Sequence, residues 1–139
     1  MQDKLAELAD SIRASAPAVT MPTRLVAIDG LGGAGKSTLA RRLATALDGA
    51  PIVPTDDFAN WDNQFEWWPR MLDQVIGPLA SGDVARYQRF DWDARRLADW
   101  VELPPKPNTV IIEGVSAMRR EFDPYLAYRI WVDAPPAAR

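Results

Sequence analysis

Four short apolar runs punctuate the chain: Leu25-Val-Ala-Ile28, Pro51-Ile-Val-Pro-Thr55, Thr109-Val-Ile-Ile112 and Arg129-Ile-Trp-Val132. Runs this short and this uniformly apolar predict strands buried on both faces. Between them the period of the pattern becomes helical. Leu5, Leu8 and Ile12 share one face over residues 2–15, with Lys4, Glu7, Asp10 and Arg13 outside, and Pro17 and Pro22 close the segment. Leu39, Leu43 and Leu47 recur at i, i+4, i+8 around Arg41, Arg42 and Thr45, and Asp48-Gly49 stops that helix. Pro69 suits the first position of a third helix that turns Leu72, Val75, Ile76 and Leu79 inward, with Gly77-Pro78 bending or ending it. Residues 81–107 read as irregular and polar, carrying Arg86, Tyr87, Arg89, Asp91, Arg95 and Arg96 near Trp92 and Trp100. Arg95 and Arg96 read as a solvated face, and the aromatic group Trp61, Phe65, Trp67 and Trp68 as either core or the lining of a pocket. Buried strands alternating with helical crossovers predict an α/β, three-layer domain whose parallel sheet is covered by helices on both faces.

The first strand leads directly into Gly30-Leu-Gly-Gly-Ala-Gly-Lys-Ser37, a complete G-x-x-x-x-G-K-[ST] phosphate-binding loop that opens the second helix. Gly30, Gly32, Gly33, Ala34 and Gly35 bring backbone N–H groups up to phosphates. Lys36 is a cation for the β and γ phosphates, the Ser37 hydroxyl suits Mg²⁺, and Thr38 continues the helix N-terminus, whose dipole favours an anion. Nucleoside triphosphate binding is the firmest functional expectation. Ligands of such sheets bind outside the carboxyl ends of the strands. Three of those ends carry Gly30, the pair Asp56-Asp57, and Glu113.

Composition narrows the chemistry. The 139 residues carry a net charge of −3, against the basic face that nucleic-acid binding needs, and contain neither Cys nor His. Disulfides, thiol nucleophiles, zinc sites and histidine bases are therefore excluded, leaving carboxylates ahead of Lys or Tyr for proton transfer, and a hard, oxygen-ligated metal. No apolar run approaches the ~20 residues of a membrane span, and the N-terminus lacks the apolar region of a signal peptide. The expectation is one soluble, cytoplasmic domain over 1–139, with an amphipathic helix in 1–20 and a nucleotide-binding core over 23–139.

The segments VAIDGLGGAGKST, TDDF, RYQRFDW, VIIEG and RIWVDAPPAAR, in this order over residues 23–139, resemble the P-loop kinases of the uridine kinase and phosphoribulokinase group. The resemblance implies a P-loop NTPase fold with the third strand beside the first and the second beyond it. Glu113 then lies one strand spacing from the phosphate loop and Asp56 two, about 10 Å away. It further implies ATP and Mg²⁺ as cofactors, with transfer of the γ-phosphate to a small alcohol, a nucleoside being favoured. Asp56 takes the base role with Lys36 as the second catalytic group. Ser37, Glu113 and Asp57 serve the metal, and Asp56, Phe58, Tyr87, Arg89 and Asp91 serve the acceptor, Tyr87 stacking on it and Asp91 bonding to ribose hydroxyls. Ala59 after Phe58 and the absence of His depart from the uridine kinase pattern, so another alcohol such as pantothenate or an antibiotic stays open. A non-catalytic nucleotide switch read through the N-terminal helix is the other alternative, although no N-K-x-D motif is present. The group's arginine-bearing lid and last strand would follow Arg139, so weak or no turnover is the expectation for the chain as given.

Overall fold

The structure is a computed structural model that describes residues 2–19, 21–31, 35–59 and 66–133. The loop residues Gly32, Gly33 and Ala34, the aromatics Trp61 and Phe65, and the APPAAR segment lie outside the described residues. Helix α1 (Gln2–Ala14) precedes strand β1 (Arg24–Gly30), helix α2 (Lys36–Ala46) and strand β2 (Ile52–Pro54). A 3₁₀ turn, Thr55–Asp57, follows β2. A helix then runs as α3 (Trp68–Met71), a π segment (Leu72–Ile76) and α4 (Gly77–Ala80). Strands β3 (Ala85–Asp91) and β4 (Arg96–Leu103) come next, and β5 (Thr109–Glu113), a 3₁₀ segment (Arg120–Tyr125) and β6 (Tyr128–Val132) close the chain.

β1, β2, β5 and β6 form one parallel sheet in the order β2-β5-β1-β6, the order implied by the resemblance. Two-sided burial explains why β1 and β5 are nearly unbroken apolar runs, whereas the expectation of two-sided burial is corrected for β6, which lies at the edge of the sheet and leaves Arg129 and Trp131 exposed. Leu25, Ala27, Val53, Val110 and Ile112 face the helix of residues 68–80, the 3₁₀ segment's Phe122 and the inner side of β3 and β4. Val26, Ile28 and Ile111 face α1 and α2 through Ala9, Ile12, Ala40, Leu43 and Leu47. Arg13 ties α1 to the end of α2 by donating to the Ala46 carbonyl oxygen. The sheet is thus covered on both faces, as the pattern predicts. No helix among the described residues is long and apolar enough to cross a membrane.

The expectation of irregular structure over 81–107 is corrected: β3 and β4 pair antiparallel as a separate hairpin. Its inner face is the alternating set Ala85, Tyr87 and Leu103, all at most 4% exposed, while Arg86, Trp100 and Glu102 face outward. With only one face buried, the strands alternate apolar and polar, and their charge content masked that period. Asp91 caps the connecting turn, its Oδ1 accepting the N–H groups of Asp93 and Ala94 at 3.0 and 3.1 Å. The third helix does not end at Gly77-Pro78. Because Pro78 brings no N–H, the helix widens locally, and the Gly77 N–H donates to the Leu72 carbonyl in the π pattern.

Gly114, where β5 leaves the sheet, has φ +139°, and a Cβ there would lie 3.1 Å from the Thr55 Cβ and still closer to its hydroxyl. Both the conformation and the contact require glycine. Gly114→Ala is expected to lower unfolding stability by about 2–4 kcal/mol, read as an earlier urea midpoint at unchanged slope.

Candidate active site

The ends of three adjacent strands are level. Ile28 of β1 pairs with Glu113 of β5, and Glu113 pairs in turn with Pro54 of β2. Beyond that row the chain turns into the phosphate loop on β1 and into the Thr55–Asp57 turn on β2. Gly35 enters α2 in the left-handed region, with φ 88° and ψ 19°. Lys36 is buried and folds back so that its Nζ donates to the Leu31 carbonyl at 2.8 Å. Ser37 Oγ donates to Glu113 Oε1 at 3.2 Å, closing the space between loop and β5. Thr38 is exposed on the first turn. Burial pushes the Glu113 carboxyl above its usual range, against the Ser37 hydrogen bond and the Lys36 charge, and the nearby Asp56 charge adds to the rise.

The two acids after β2 occupy different environments. Asp56 is exposed. Asp57 is partly buried and accepts the Tyr87 hydroxyl at 2.7 Å; burial raises its pKa, while that hydrogen bond and the Arg89 charge oppose the rise. Burial and the bond to Asp57 raise the Tyr87 pKa strongly, so the phenol stays protonated as a donor.

The expected acceptor residues fall in two groups. Phe58 and Tyr87 are each 1% exposed, with ring centroids 4.8 Å apart, so the expectation that Tyr87 stacks on an acceptor is corrected: its ring faces are spent in the core. Arg89 is drawn across the hairpin to Asp99, both Nε and Nη2 lying 2.9 Å from Oδ1, with Asp91 at 3.9 Å. Asp91 is committed in part to its own turn. Of the aromatic group, Trp67 is core, 6.0 Å from Phe122, with the Arg119 guanidinium 5.6 Å from its ring. Arg95 and Arg96 are exposed as expected.

Several residues that organise this rim escaped the sequence reading. Asp29 is 6% exposed and accepts three backbone N–H groups, from Gly30 at 2.7 Å, Ser116 at 3.1 Å and Met118 at 2.9 Å. It thereby binds the chain after β5 to the start of the phosphate loop. The signal was an acid inside a buried strand, which must find donors. Arg70 and Trp92 are the others, and both reach the turn that carries Asp56.

A cavity of about 540 Å³ opens at the opposite end of the sheet, between Arg13, Arg24, Pro51, Pro104 and Asn108. Its arginines are already committed. Arg13 binds Asp10 and the Ala46 carbonyl, and Arg24 binds the Ser15 and Arg13 carbonyls and the Thr109 hydroxyl. The titratable cluster at the strand ends is the better candidate.

No family model matches the chain. It is 29% identical over 121 residues to the uridine kinase of Halobacterium salinarum, an alignment covering 74% of this chain and 52% of that protein. A stretch of 44 residues is 54% identical to the thymidylate kinase of Xanthomonas euvesicatoria, covering 29% of this chain and 20% of the other. The chain thus spans about half the length of the uridine kinase it matches. Among solved structures, a candidate uridine kinase from Bacillus stearothermophilus superposes with TM-score 0.80 at 20% identity, over 98% of this chain and 83% of that one. A candidate fructose transport system kinase from Silicibacter sp. gives TM-score 0.74 at 23% identity, over 96% and 76%. At these identities the structural likeness is one of fold. Taken with the phosphate-loop motif and the strand order, these likenesses show that the chain has the α/β fold of P-loop kinases and is similar in sequence to a uridine kinase.

Proposed function

We propose that the chain forms the nucleotide- and acceptor-binding core of an ATP-dependent kinase that phosphorylates a small alcohol, a nucleoside being favoured. The observation that carries the reading is the Ser37–Glu113 contact beside Lys36, two strands across from the exposed Asp56. A phosphate loop alone would serve any nucleotide-binding protein; an acid on the far strand end supplies the group that an acceptor hydroxyl needs. The uridine kinase among the relatives favours a nucleoside acceptor.

Mg²⁺ fits the donor set of a hydroxyl and a carboxylate at Ser37 and Glu113. Among the described residues no three acids converge on one point, so phosphate oxygens and water would complete its shell. Asp57, bound to Tyr87, serves the turn rather than the metal. In the reaction Mg·ATP supplies the phosphoryl group and neutralises part of its charge. Lys36 exchanges its bond to the Leu31 carbonyl for one to the β and γ phosphates. Asp56 accepts the acceptor's hydroxyl proton as the new O–P bond forms and the bond from Pγ to the β-phosphate oxygen breaks.

Asp56→Asn is expected to lower acceptor-dependent ADP release about 10²–10⁴-fold while leaving Mg·ADP affinity within about twofold. Titrating uridine into the protein saturated with Mg·ADP, with calorimetric detection, tests the acceptor. Saturable heat that is lost in Asp56→Asn supports a nucleoside, and no heat with Mg·ADP bound moves the acceptor to another alcohol.

Glu113 gives an opposed pair of effects. Its folded pKa is raised above 4.5, so its contribution to stability is present below that pH and lost as pH rises through the folded value. Glu113→Gln, which keeps an acceptor for Ser37, is therefore expected to unfold at higher urea than the parent at pH 7, the difference shrinking towards pH 4. The same variant should weaken Mg²⁺-dependent nucleotide binding about 10- to 100-fold.

A further inference from the structure

The Thr55–Asp57 turn is a single turn of 3₁₀ helix whose own backbone bonds are those of Phe58 and Ala59 N–H to the Thr55 carbonyl, at 3.0 and 3.2 Å. That is little to hold a catalytic carboxylate in place. The next three carbonyls, of Asp56, Asp57 and Phe58, are all taken by side chains from elsewhere. Trp92 Nε1 donates to the Asp56 oxygen at 2.8 Å, and Arg70 Nη2 donates to the Asp57 and Phe58 oxygens at 3.0 and 3.4 Å. The other arm of Arg70 reaches the hairpin, Nη1 donating to the Gln88 carbonyl at 2.7 Å and to Gln74 Oε1 at 3.2 Å, while its guanidinium lies 4.7 Å from the Phe58 ring centroid. Asp57 adds a further tie through Tyr87. Of the carbonyl and carboxylate groups of Asp56 and Asp57, the Asp56 carboxylate alone, which is exposed, makes no hydrogen bond or ion pair among the described residues.

We propose that Arg70 and Trp92 are positioning residues that clamp the acidic turn between the helix and the hairpin, so that the Asp56 carboxylate alone is presented to the acceptor. The inference rests on Asp56 as the acceptor's base. A planar, forked guanidinium is the side chain that can bridge two carbonyl-bearing segments at once, and a lysine ammonium cannot reproduce that geometry. Arg70 is also held where burial lowers its pKa, a cost that an apolar residue packed on Phe58 would avoid. Trp92 contributes its N–H from the far end of the hairpin while its ring packs edge-on against Phe90, centroids 5.4 Å apart. A carboxylate displaced by an ångström loses much of its catalytic effect, which is why such a turn gains from external ties.

The test compares the full chain with Arg70→Met, Arg70→Lys and Trp92→Phe, the last removing the indole donor and keeping a smaller ring beside Phe90. With uridine and saturating Mg·ATP, Arg70→Met is expected to lower kcat for ADP release about 10- to 100-fold and Trp92→Phe several-fold, Arg70→Lys resembling Arg70→Met. KM for ATP should stay within about twofold in all three. Unchanged kcat in both Arg70→Met and Trp92→Phe, or a parallel loss of ATP affinity, overturns the clamp. Hydrogen exchange of the Trp92 indole N–H, read by NMR, separates the clamp from the kinase reading. If the parent turns over no alcohol, the clamp is judged on the indole alone. Protection in the parent that is lost in Arg70→Met upholds it, and exchange in the parent at the rate of free tryptophan overturns it.

Discussion

Burial of a parallel sheet on both faces leaves charged chemistry almost nowhere to go except the strand ends. All five residues of β5 are buried, and so are all of β1 after Arg24. A carboxylate in the body of such a strand must have its oxygens satisfied by the chain itself, as Asp29 does with three backbone donors. A carboxylate at the last position can instead face whatever lies beyond the sheet. Glu113 occupies that position, and the level pairing of Ile28, Glu113 and Pro54 sets the phosphate loop, Glu113 and the acidic turn along one rim.

The rim is assembled at a cost to the fold. Glu113 and Asp57 are both raised above their ordinary pKa values, chiefly by burial. Gly30 and Gly114 hold positive φ where an added Cβ would strike the Val132 carbonyl and Thr55 respectively. Lys36 satisfies its charge on a loop carbonyl, a partner that a phosphate can replace. Such groups are underpaid by the protein alone and are better matched by an anionic ligand with its cation, so ligand binding and local stability are coupled here.

What was legible in the sequence follows from how each element is buried. The central strands β1 and β5 announced themselves because burial on two faces leaves few polar residues in them, and those few, Asp29 and Glu113, stand at or near the strand ends with partners. The phosphate loop was legible because its chemistry is local, all of its residues lying within one turn of chain. The β3–β4 hairpin was not, because one solvated face places Arg86, Gln88 and Glu102 between its inward residues. Tyr87 illustrates the limit further. The resemblance implied a ligand-facing ring, whereas its alternation with Ala85, read as a strand, predicts the buried position it takes. Arg70 gave no signal at all, since its partners at Asp57 and Gln88 lie 13 and 18 residues away and are backbone atoms that any sequence would supply.

The adjacent acids Asp56 and Asp57 show how backbone geometry divides two chemically equal groups. In a 3₁₀ turn successive side chains point about 120° apart. Once Asp57 is directed at the Tyr87 hydroxyl, Asp56 must therefore leave the core, and its exposure is the counterpart of its neighbour's burial. Phe58, next along, turns into the core beneath Arg70 and anchors the turn from below. Asp-Asp-Phe is thus one outward carboxylate, one carboxylate bonded to the hairpin and one apolar anchor. The hairpin is what makes the division possible: without Tyr87 to receive it, the second acid would have no reason to fold inward.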